Sequence, residues 1–372
     1  MTVFFLFIFG LYFLLMLVLL YGWEKALVNR VFESRDKTTG KITVVIPFRN
    51  EEANLENSID DLVNQSYSSA LYEVVFIDDH STDRSSDRVA LKIASLPNFR
   101  LISLPAENEG KKKAITLGIE KSNGDIIVTT DADCRLPMDW LASIADQFQR
   151  DCIKMTFGGV KIEENDSFFS KLQAMEFISL IGSGASTLTI GYPSMCNGAN
   201  LAFLKTAFYE VDGYEGNFHI SSGDDEFLMR KINTKFPQSI CFLRNPESVV
   251  STKAQRSLRD FLYQRLRWAG KWKYNSSAAT KLLALYIFFF QLSFICVVVL
   301  TLDHKLDLKT AFFLVGGKIL FEFVFLSKVS AFLRVKWRTF YFLLLQLIYP
   351  VYVVSIAMAS TFISPIWKER KI

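Results

Sequence analysis

Two aspartates, one residue apart, follow directly on a strongly apolar segment of the chain. Asp131 and Asp133, in the stretch TTDADC, come straight after the run at residues 126–128. Carboxylates at this spacing repel each other unless a positive group lies beside them. A solvated acidic turn ahead of a helix would satisfy them, since Pro137 suits a first helical position. The alternative is a divalent cation that also binds a phosphate-bearing ligand.

Two more polar clusters follow apolar segments earlier in the chain. Arg49 and Glu51 come after the run at 42–47, and Asp79 comes after the run at 74–77. Apolar strands separated by amphipathic helices predict a parallel sheet covered on both faces. Ligands bind beyond the carboxyl ends of such strands, so the clusters should share one edge. We therefore expect an α/β domain whose acidic edge binds Mg²⁺ or Mn²⁺ together with a nucleotide diphosphate.

Helical and strand periodicities alternate through this part of the chain. The predicted strands are 42–47, 74–77, 100–104, 126–130 and 153–160. The predicted helices are 54–65, 83–95, 111–121 and 139–150. Further along, 168–190 and 257–273 are predicted to be helices at the lipid surface, because apolar faces carry a basic or polar margin.

The composition indicates a soluble domain joined to membrane segments. Half of the 372 residues are hydrophobic, yet 22% are charged, and the net charge of +4 gives no indication of nucleic acid as a partner. The five cysteines form no CxxC pair. This argues against a disulfide framework or a structural zinc site and favours a reducing, cytoplasmic environment.

Four apolar segments are candidate membrane spans of about 30 Å. They are residues 2–23, 282–302, 310–327 and 340–367. The first span has neither Lys or Arg ahead of it nor a small-residue cleavage site, which argues against a cleaved signal peptide. The basic residues that follow it (Lys25, Arg30, Arg35 and Lys37) place the next domain in the cytoplasm. Lys318 and Glu322 are expected to neutralise each other inside the bundle. Prolines leave a bent or re-entrant path open for the last span.

Taken together, residues 42–268 resemble the inverting family 2 glycosyltransferases. The matching stretches are VVIPFRNEE (44–52), FIDDHSTD (76–83), GKxxA from Gly110, the DxD at 131–133, CNGANLAF (196–203), GDD (223–225) and QRLRW (264–268). The last fits QxxRW, a feature of membrane-embedded members. The resemblance implies a GT-A fold (Rossmann-like, with a mainly parallel sheet) for the cytosolic domain, joined to transmembrane helices.

The resemblance also implies roles for individual residues. It gives catalysis to Asp225 and Asp224; nucleotide binding to Pro47, Arg49, Glu51, Asp79, Lys111 and Asp131; the metal to Asp133 and Asp131; and acceptor or diphosphate contacts to Asn200, Gln264, Arg267 and Trp268. The family usually has Glu where this chain has Asp224, so the resemblance leaves open which of the two adjacent acids is the base. From the residues alone, the acidic pair would only favour a helix N-terminus. Residues 111–113 would be a solvated helix face or a phosphate contact, with the solvated face preferred. His219 would be a loop residue and Cys134 a space-filling one.

The implied chemistry needs two groups on opposite sides of the donor sugar. A metal at the DxD would neutralise the leaving diphosphate, and Arg267 could clamp a phosphate. Asp225 would remove the proton of the acceptor hydroxyl as a general base. A single displacement then inverts the anomeric centre.

We expect four segments: a transmembrane anchor (1–24), the GT-A domain (40–253), an interfacial helix region with QxxRW (254–280) and about three transmembrane helices (281–372). The expected activity is transfer from a nucleotide-diphosphate sugar, a UDP-sugar first, to a lipid-linked or glycan acceptor at a bacterial inner membrane. A processive polysaccharide synthase coupled to export and a nucleotide-binding membrane scaffold without transfer remain open. A nucleotidyltransferase is disfavoured, because residues 48–52 offer acids where a triphosphate would need glycine and basic residues.

Overall fold

The computed structural model describes residues 1–27, 40–218, 220, 222–271, 277–363, 366–367 and 370–371. The chain divides into two compact units. The sheet unit comprises Lys25–Glu163 and Thr187–Lys253, and the helical unit comprises Met1–Glu24, Glu164–Ser186 and Ala254–Ile372. Arg30, Arg35, Lys37 and His219 lie outside the described residues, as does Pro365, one of the two prolines of the last predicted span.

Strands and helices alternate through most of the sheet unit. The strands are β1 (Ile42–Phe48), β2 (Tyr72–Asp78), β3 (Phe99–Ser103), β4 (Ile126–Thr129), β5 (Met155–Phe157), β6 (Val160–Glu163), β7 (Leu201–Leu204), β8 (Ile240–Phe242) and β9 (Val250–Lys253). The helices of the whole chain are α1 (Thr2–Leu27), α2 (Leu55–Val63), α3 (Ser85–Ile93), α4 (Lys111–Glu120), α5 (Trp140–Phe148), α6 (Phe168–Thr189), α7 (Lys205–Glu210), α8 (Asp224–Lys235), α9 (Leu258–Gly270), α10 (Ala278–Leu302), α11 (Leu308–Leu333) and α12 (Thr339–Phe362).

The main sheet is mixed and mainly parallel. Its strand order is β3-β2-β1-β4-β7-β5-β8, and β7 runs antiparallel to both of its neighbours. Every residue of β2 and β4 is buried, as expected for strands covered on both faces. The α/β fold with a mainly parallel sheet is therefore confirmed, and β1, β2 and β4 end at the same edge.

One predicted strand, 153–160, is wrong because the chain changes sheets within it. β5 belongs to the main sheet, whereas β6 pairs only with β9 in a separate two-stranded parallel sheet. Gly158 lies between them, packed so closely on Asn200 that a Cβ there would be 2.3 Å from the Asn200 amide nitrogen. The close backbone approach needs a residue without a side chain.

Helix α4 packs unusually close to the sheet. A Cβ at Gly118 would lie 2.4 Å from Val45 Cγ1 on β1, so only glycine allows this approach. Ile115 and Ile119, on the same helix, are fully buried. This packing fixes where the first turn of α4, with Lys111, meets the edge of the sheet.

Among the described residues, four helices are long and apolar enough to cross a membrane: α1, α10, α11 and α12. The last of them is one continuous helix with Pro350 in its interior. The Lys318–Glu322 pair is confirmed at 2.9 Å, with Lys318 buried. Lys318 also donates to Gln346, and Tyr12 donates to Glu322 at 2.5 Å. We call Tyr12, Lys318, Glu322 and Gln346 the intramembrane polar cluster.

Helices α6 and α9 match the two helices predicted to lie at the lipid surface. Their bounds are Phe168–Thr189 and Leu258–Gly270. Trp272 and Lys273, counted in the second prediction, lie outside the described residues. Whether either helix lies in a membrane interface stays a prediction.

Candidate active site

Lys111 joins the two acidic motifs of the sheet unit. It stands at the first position of α4, and its Nζ lies 2.7 Å from Asp131 Oδ1 and 3.4 Å from Asp224 Oδ2. Burial opposes the charge of this ammonium, but the carboxylates of Asp131 and Asp224 outweigh it and raise the pKa of Lys111. The end of β4 and the start of α8 are therefore held together by a permanent positive charge.

Gly198 brings a third element to the same place. Its N–H donates to Asp225 Oδ2 at 2.9 Å, and its carbonyl accepts from Thr129 Oγ1 at 2.9 Å. This contact exists because β7 is antiparallel to β4, so that Leu201, the first residue of β7, pairs with Thr129 at the end of β4. The turn preceding β7 is thereby placed at the edge where the parallel strands end.

The DxD forms a cluster of potential metal ligands. Ligand atoms of Asp131, Asp133 and Cys134 all lie within 4.8 Å of one another. Carboxylate oxygens are the donors that Mg²⁺ and Mn²⁺ prefer, so the two aspartates fit either ion. Burial and the neighbouring carboxylates raise the pKa of the Cys134 thiol, consistent with a space-filling residue. Thr252 Oγ1, 3.4 Å from Asp133 Oδ2, borders the cluster from β9.

The expected nucleotide residues lie at the carboxyl ends of β1 and β2. The buried carboxylate of Asp79 accepts the N–H of Gly110 at 3.2 Å, and Arg49 Nη1 donates to the Asp79 carbonyl at 3.2 Å. Glu51 is held in its turn, because Asn54 Nδ2 donates to its Oε2 at 2.6 Å. Pro47, half-buried on β1, pairs in register with residue 77 of β2. The structure thus groups these residues on one edge, and their contact with a nucleotide stays a prediction.

The solvated reading of residues 111–113 is wrong for two of the three lysines. Lys111 bridges the acids, and Lys112 is buried, with its Nζ donating to the carbonyls of Asn217, Ile220 and Ser222. Those carbonyls belong to the segment that leads into Asp224. Lys112 therefore positions the acidic pair, a role that sequence spacing gave no means of finding.

Asn200, expected at the acceptor, has a side chain buried in the sheet unit. Its side chain is fully buried, accepts from Trp140 Nε1 at 2.9 Å and donates to the carbonyls of Gly159 and Ser248, each at 2.9 Å. The Asn200 side chain thus holds α5, β7 and the crossing at Gly158 together. Its contact with an acceptor stays a prediction.

The remaining predicted residues, Gln264, Arg267 and Trp268, lie on α9 in the helical unit. Gln264 and Trp268 are half-buried. Sequence reasoning passed over the residue between them, Arg265, which is 5% exposed. A basic residue on the predicted apolar face of this helix was the available signal.

The model of glycosyl transferase family 2 matches residues 43–211. An N-acetylglucosaminyltransferase of Bradyrhizobium diazoefficiens is 27% identical over 238 residues, covering 61% of this chain and 48% of the relative. The poly-β-1,6-N-acetyl-D-glucosamine synthase of Staphylococcus aureus strain COL is 26% identical over 262 residues, covering 67% and 60%. The chain thus spans about half to three fifths of the length of these relatives.

A solved structure extends the likeness to the fold. The mannosyltransferase PcManGT from Pyrobaculum calidifontis, solved in complex with GDP-Man and Mn²⁺, has a TM-score of 0.63 and 16% identity, and covers 97% of this chain and 99% of that one. At this identity the likeness concerns the fold, a GT-A-like α/β domain. The family match shows that residues 43–211 of this chain form a glycosyl transferase family 2 domain.

Proposed function

We propose that this chain transfers a sugar from a nucleotide-diphosphate sugar to an acceptor hydroxyl, with inversion at the anomeric carbon. The observation that carries the proposal is the convergence of Asp131, Lys111, Gly198 and Asp225 at one edge of the sheet. Inverting transfer needs a cationic diphosphate site and a carboxylate base close to it. The family match supports the same reaction class.

Asp131 and Asp133 would hold Mg²⁺ or Mn²⁺, which when bound neutralises charge on the leaving diphosphate. Lys111, already paired with Asp131, contributes a second positive charge on that side. The nucleotide would extend over the strand ends that carry Pro47, Arg49, Glu51 and Asp79.

Asp225 is the general base in this proposal. Its Oδ2 accepts the N–H of Gly198 at 2.9 Å and its Oδ1 accepts the N–H of Glu226 at 2.7 Å, so the carboxylate is oriented by two main-chain donors. An ionised carboxylate can accept the proton of an acceptor hydroxyl. Asp224 is the weaker choice, because its carboxylate is 13% exposed and paired with Lys111.

The donor and acceptor follow from the relatives and from the membrane candidates. The two relatives named above handle N-acetylglucosamine by name, so UDP-N-acetylglucosamine is the first donor to test, with GDP-mannose second. Four apolar helices support a membrane-anchored, multi-pass protein and a lipid-linked or glycan acceptor. The orientation proposed is that of a bacterial inner membrane with the sheet unit in the cytoplasm.

A second candidate function is polymer synthesis. The name of the Staphylococcus aureus relative favours it. Transfer of one or a few sugars is preferred here, because a channel for a growing glycan needs many helices around it and the described residues offer four candidate spans. The mass of the product separates the two.

The decisive experiment measures nucleoside diphosphate release by the purified full chain with Mn²⁺, each donor and native lipid extract. Asp225→Asn should lower transfer by about 10²–10⁴-fold, the usual contribution of a general base. Nucleotide affinity, measured by calorimetry, should stay within about twofold. Glu210→Gln, which changes an exposed acid on α7, is the matched control and should leave turnover unchanged.

Two results would contradict the proposal. Nucleotide binding without turnover on any donor would favour the membrane scaffold. Full activity in Asp225→Asn would remove Asp225 as the base and return the role to Asp224.

A further inference from the structure

The QxxRW segment contains a buried arginine at a position that the signature leaves unspecified. Arg265 lies on α9 between Gln264 and Arg267, and its side chain is 5% exposed. Glu176, on α6 of the same helical unit, faces it and is 6% exposed. An ion pair this deeply buried is unusual for a helix surface and needs a physical reason.

The guanidinium uses both of its edges. Arg265 Nε donates to Glu176 Oε1 at 3.2 Å and Nη2 donates to Glu176 Oε2 at 2.6 Å, a bidentate fork. On the other side, Nη1 donates to Gln264 Oε1 at 2.6 Å. One planar group therefore fixes both the α6 carboxylate and the first residue of the signature.

The faces of the guanidinium are also occupied. Its central carbon lies 4.4 Å from the ring centroid of Phe261 and 4.4 Å from that of Trp268. Trp268 in turn packs on Phe177 of α6, with ring centroids 6.2 Å apart. Arg265 thus touches two of the three signature residues, one through a hydrogen bond and one through its ring.

Stability alone is a poor reason for this arrangement. Apolar residues of similar volume are often as stabilising as a buried ion pair, because desolvating two charges is costly. What the pair adds is geometry: the fork is rigid and planar, and lysine cannot reproduce it. Fixing α9 to α6 by the fork sets the rotation of α9 about its own axis.

We infer that Arg265, held by Glu176, is a positioning residue that orients Gln264 and Trp268 for binding of the acceptor. This inference rests on the glycosyl transfer proposed above and deepens it. It gives the acceptor side of the reaction a specific dependence on a residue that would not itself touch substrate.

The test compares Arg265→Lys, Arg265→Met and Glu176→Gln in the purified full chain. Each should raise the KM for the acceptor about tenfold or more while the KM for the nucleotide sugar stays within about twofold. Arg265→Lys keeps the charge but not the fork, so it should recover thermal stability without recovering the acceptor KM. Glu164→Gln is the matched control, because it removes the charge of the carboxylate paired with another arginine of the same unit, Arg338, whose Nε and Nη2 both donate to Glu164 Oε2.

A second readout does not need activity. The emission of Trp268 is obtained in each variant by subtracting the spectrum of the same variant that also carries Trp268→Phe. This emission should shift when Arg265 is changed and stay constant in the control. If Arg265→Met does not fold, Glu176→Gln leaves the arginine in place and tests the same fork.

Three outcomes are separable. A normal acceptor KM in Arg265→Lys overturns the inference, because charge without the fork would then suffice. Lower stability with unchanged KM and unchanged Trp268 emission also overturns it, leaving a purely structural pair. If the parent shows no transfer with any donor, the proposed function fails, and a shifted Trp268 emission would still support the orientation of the signature by Arg265.

Discussion

Two adjacent lysines at the start of α4 act on the same acidic pair in different ways. Lys111 neutralises it directly, with Nζ 3.4 Å from Asp224 Oδ2. Lys112 works through the backbone, because its three ammonium hydrogens go to carbonyls of the segment before α8. Two neighbouring side chains in the first turn of α4 therefore hold the start of α8, one by its charge and the other by hydrogen bonds to the backbone.

Replacing Lys112 with Met should destabilise the sheet unit and lower turnover. Each buried carbonyl that loses its donor lowers the free energy of unfolding by about 1–3 kcal/mol. The segment before Asp224 also loses the group that holds it in place. Thermal unfolding of the purified chain should show a lower midpoint, with transfer falling more than nucleotide affinity. Lys113→Met is the control, since Lys113 makes a single bond to Asn108 Oδ1 at 2.9 Å. Equal effects in both variants would contradict the anchoring role.

The sequence located the acids of the site but not the groups that hold them. Asp131 and Asp133 could be placed at the edge of the sheet because they follow an apolar strand, whereas Asp225 was assigned by the family resemblance. The role of Lys112 could not, since its partners lie more than a hundred residues away in an irregular segment. The burial of Asn200 could not be predicted for a similar reason, because it depends on the crossing at Gly158.

At the scale of elements, a buried carboxylate ties three strands to a loop. Glu73 on β2 accepts from Thr43 on β1 at 2.7 Å and from Asn123, ahead of β4, at 2.9 Å, and Arg100 on β3 pairs with it at 3.1 Å. Burial by itself would raise the pKa of Glu73, but the hydrogen bonds and the Arg100 charge outweigh it and lower the pKa. The ionised form is the one that the fold requires.

The lowered pKa of Glu73 determines how the stability of the fold depends on pH. Because the folded-state pKa lies below the ordinary value of 4.5, Glu73 contributes stability above that pH and loses it as the pH falls through the folded-state pKa. Glu73→Gln should unfold at a lower temperature at pH 7 and lose less stability between pH 6 and pH 3. Thermal melts across that range test it, with the exposed Glu120→Gln as control. A parallel acid dependence in Glu73→Gln and the parent would contradict the assignment.

Elements with a clear hydrophobic periodicity could be predicted from the sequence, whereas features that depend on which strands pair could not. Helix α4, expected at 111–121, spans Lys111–Glu120. The break between β5 and β6 was missed because apolar content continues through 153–160 and does not encode a change of partner strand. The reversed direction of β7 is likewise a property of the whole sheet.

At the scale of the whole molecule, the intramembrane polar cluster links three of the four candidate spans. Tyr12 comes from α1, Lys318 and Glu322 from α11, and Gln346 from α12. The cluster contains one positive and one negative charge and is closed by hydrogen bonds. Polar groups satisfied in this way specify which helix faces meet, where apolar contacts alone would tolerate many registers.

Removing one charge of this cluster should lower the unfolding temperature more than removing both charges together. Lys318→Met leaves Glu322 charged among apolar helices, at a cost of about 3 kcal/mol. The double variant Lys318→Met with Glu322→Leu removes both charges and should unfold at a higher temperature than the single one. Thermal unfolding in detergent, monitored by loss of the monodisperse peak, measures the order of stability of the variants. A double variant less stable than the single would show that the cluster acts through more than charge balance.

The reversal of β7 has a consequence for how this protein could be altered. Residues 191–197 precede β7, are exposed or half-buried, and end one residue before Gly198, whose N–H donates to Asp225. Their length can vary without shifting the register of any strand, since they enter the sheet only at Leu201. With Asp225 as the proposed base, we therefore expect exchange of this short connection between related chains to change acceptor preference and to leave the proposed nucleotide residues in place.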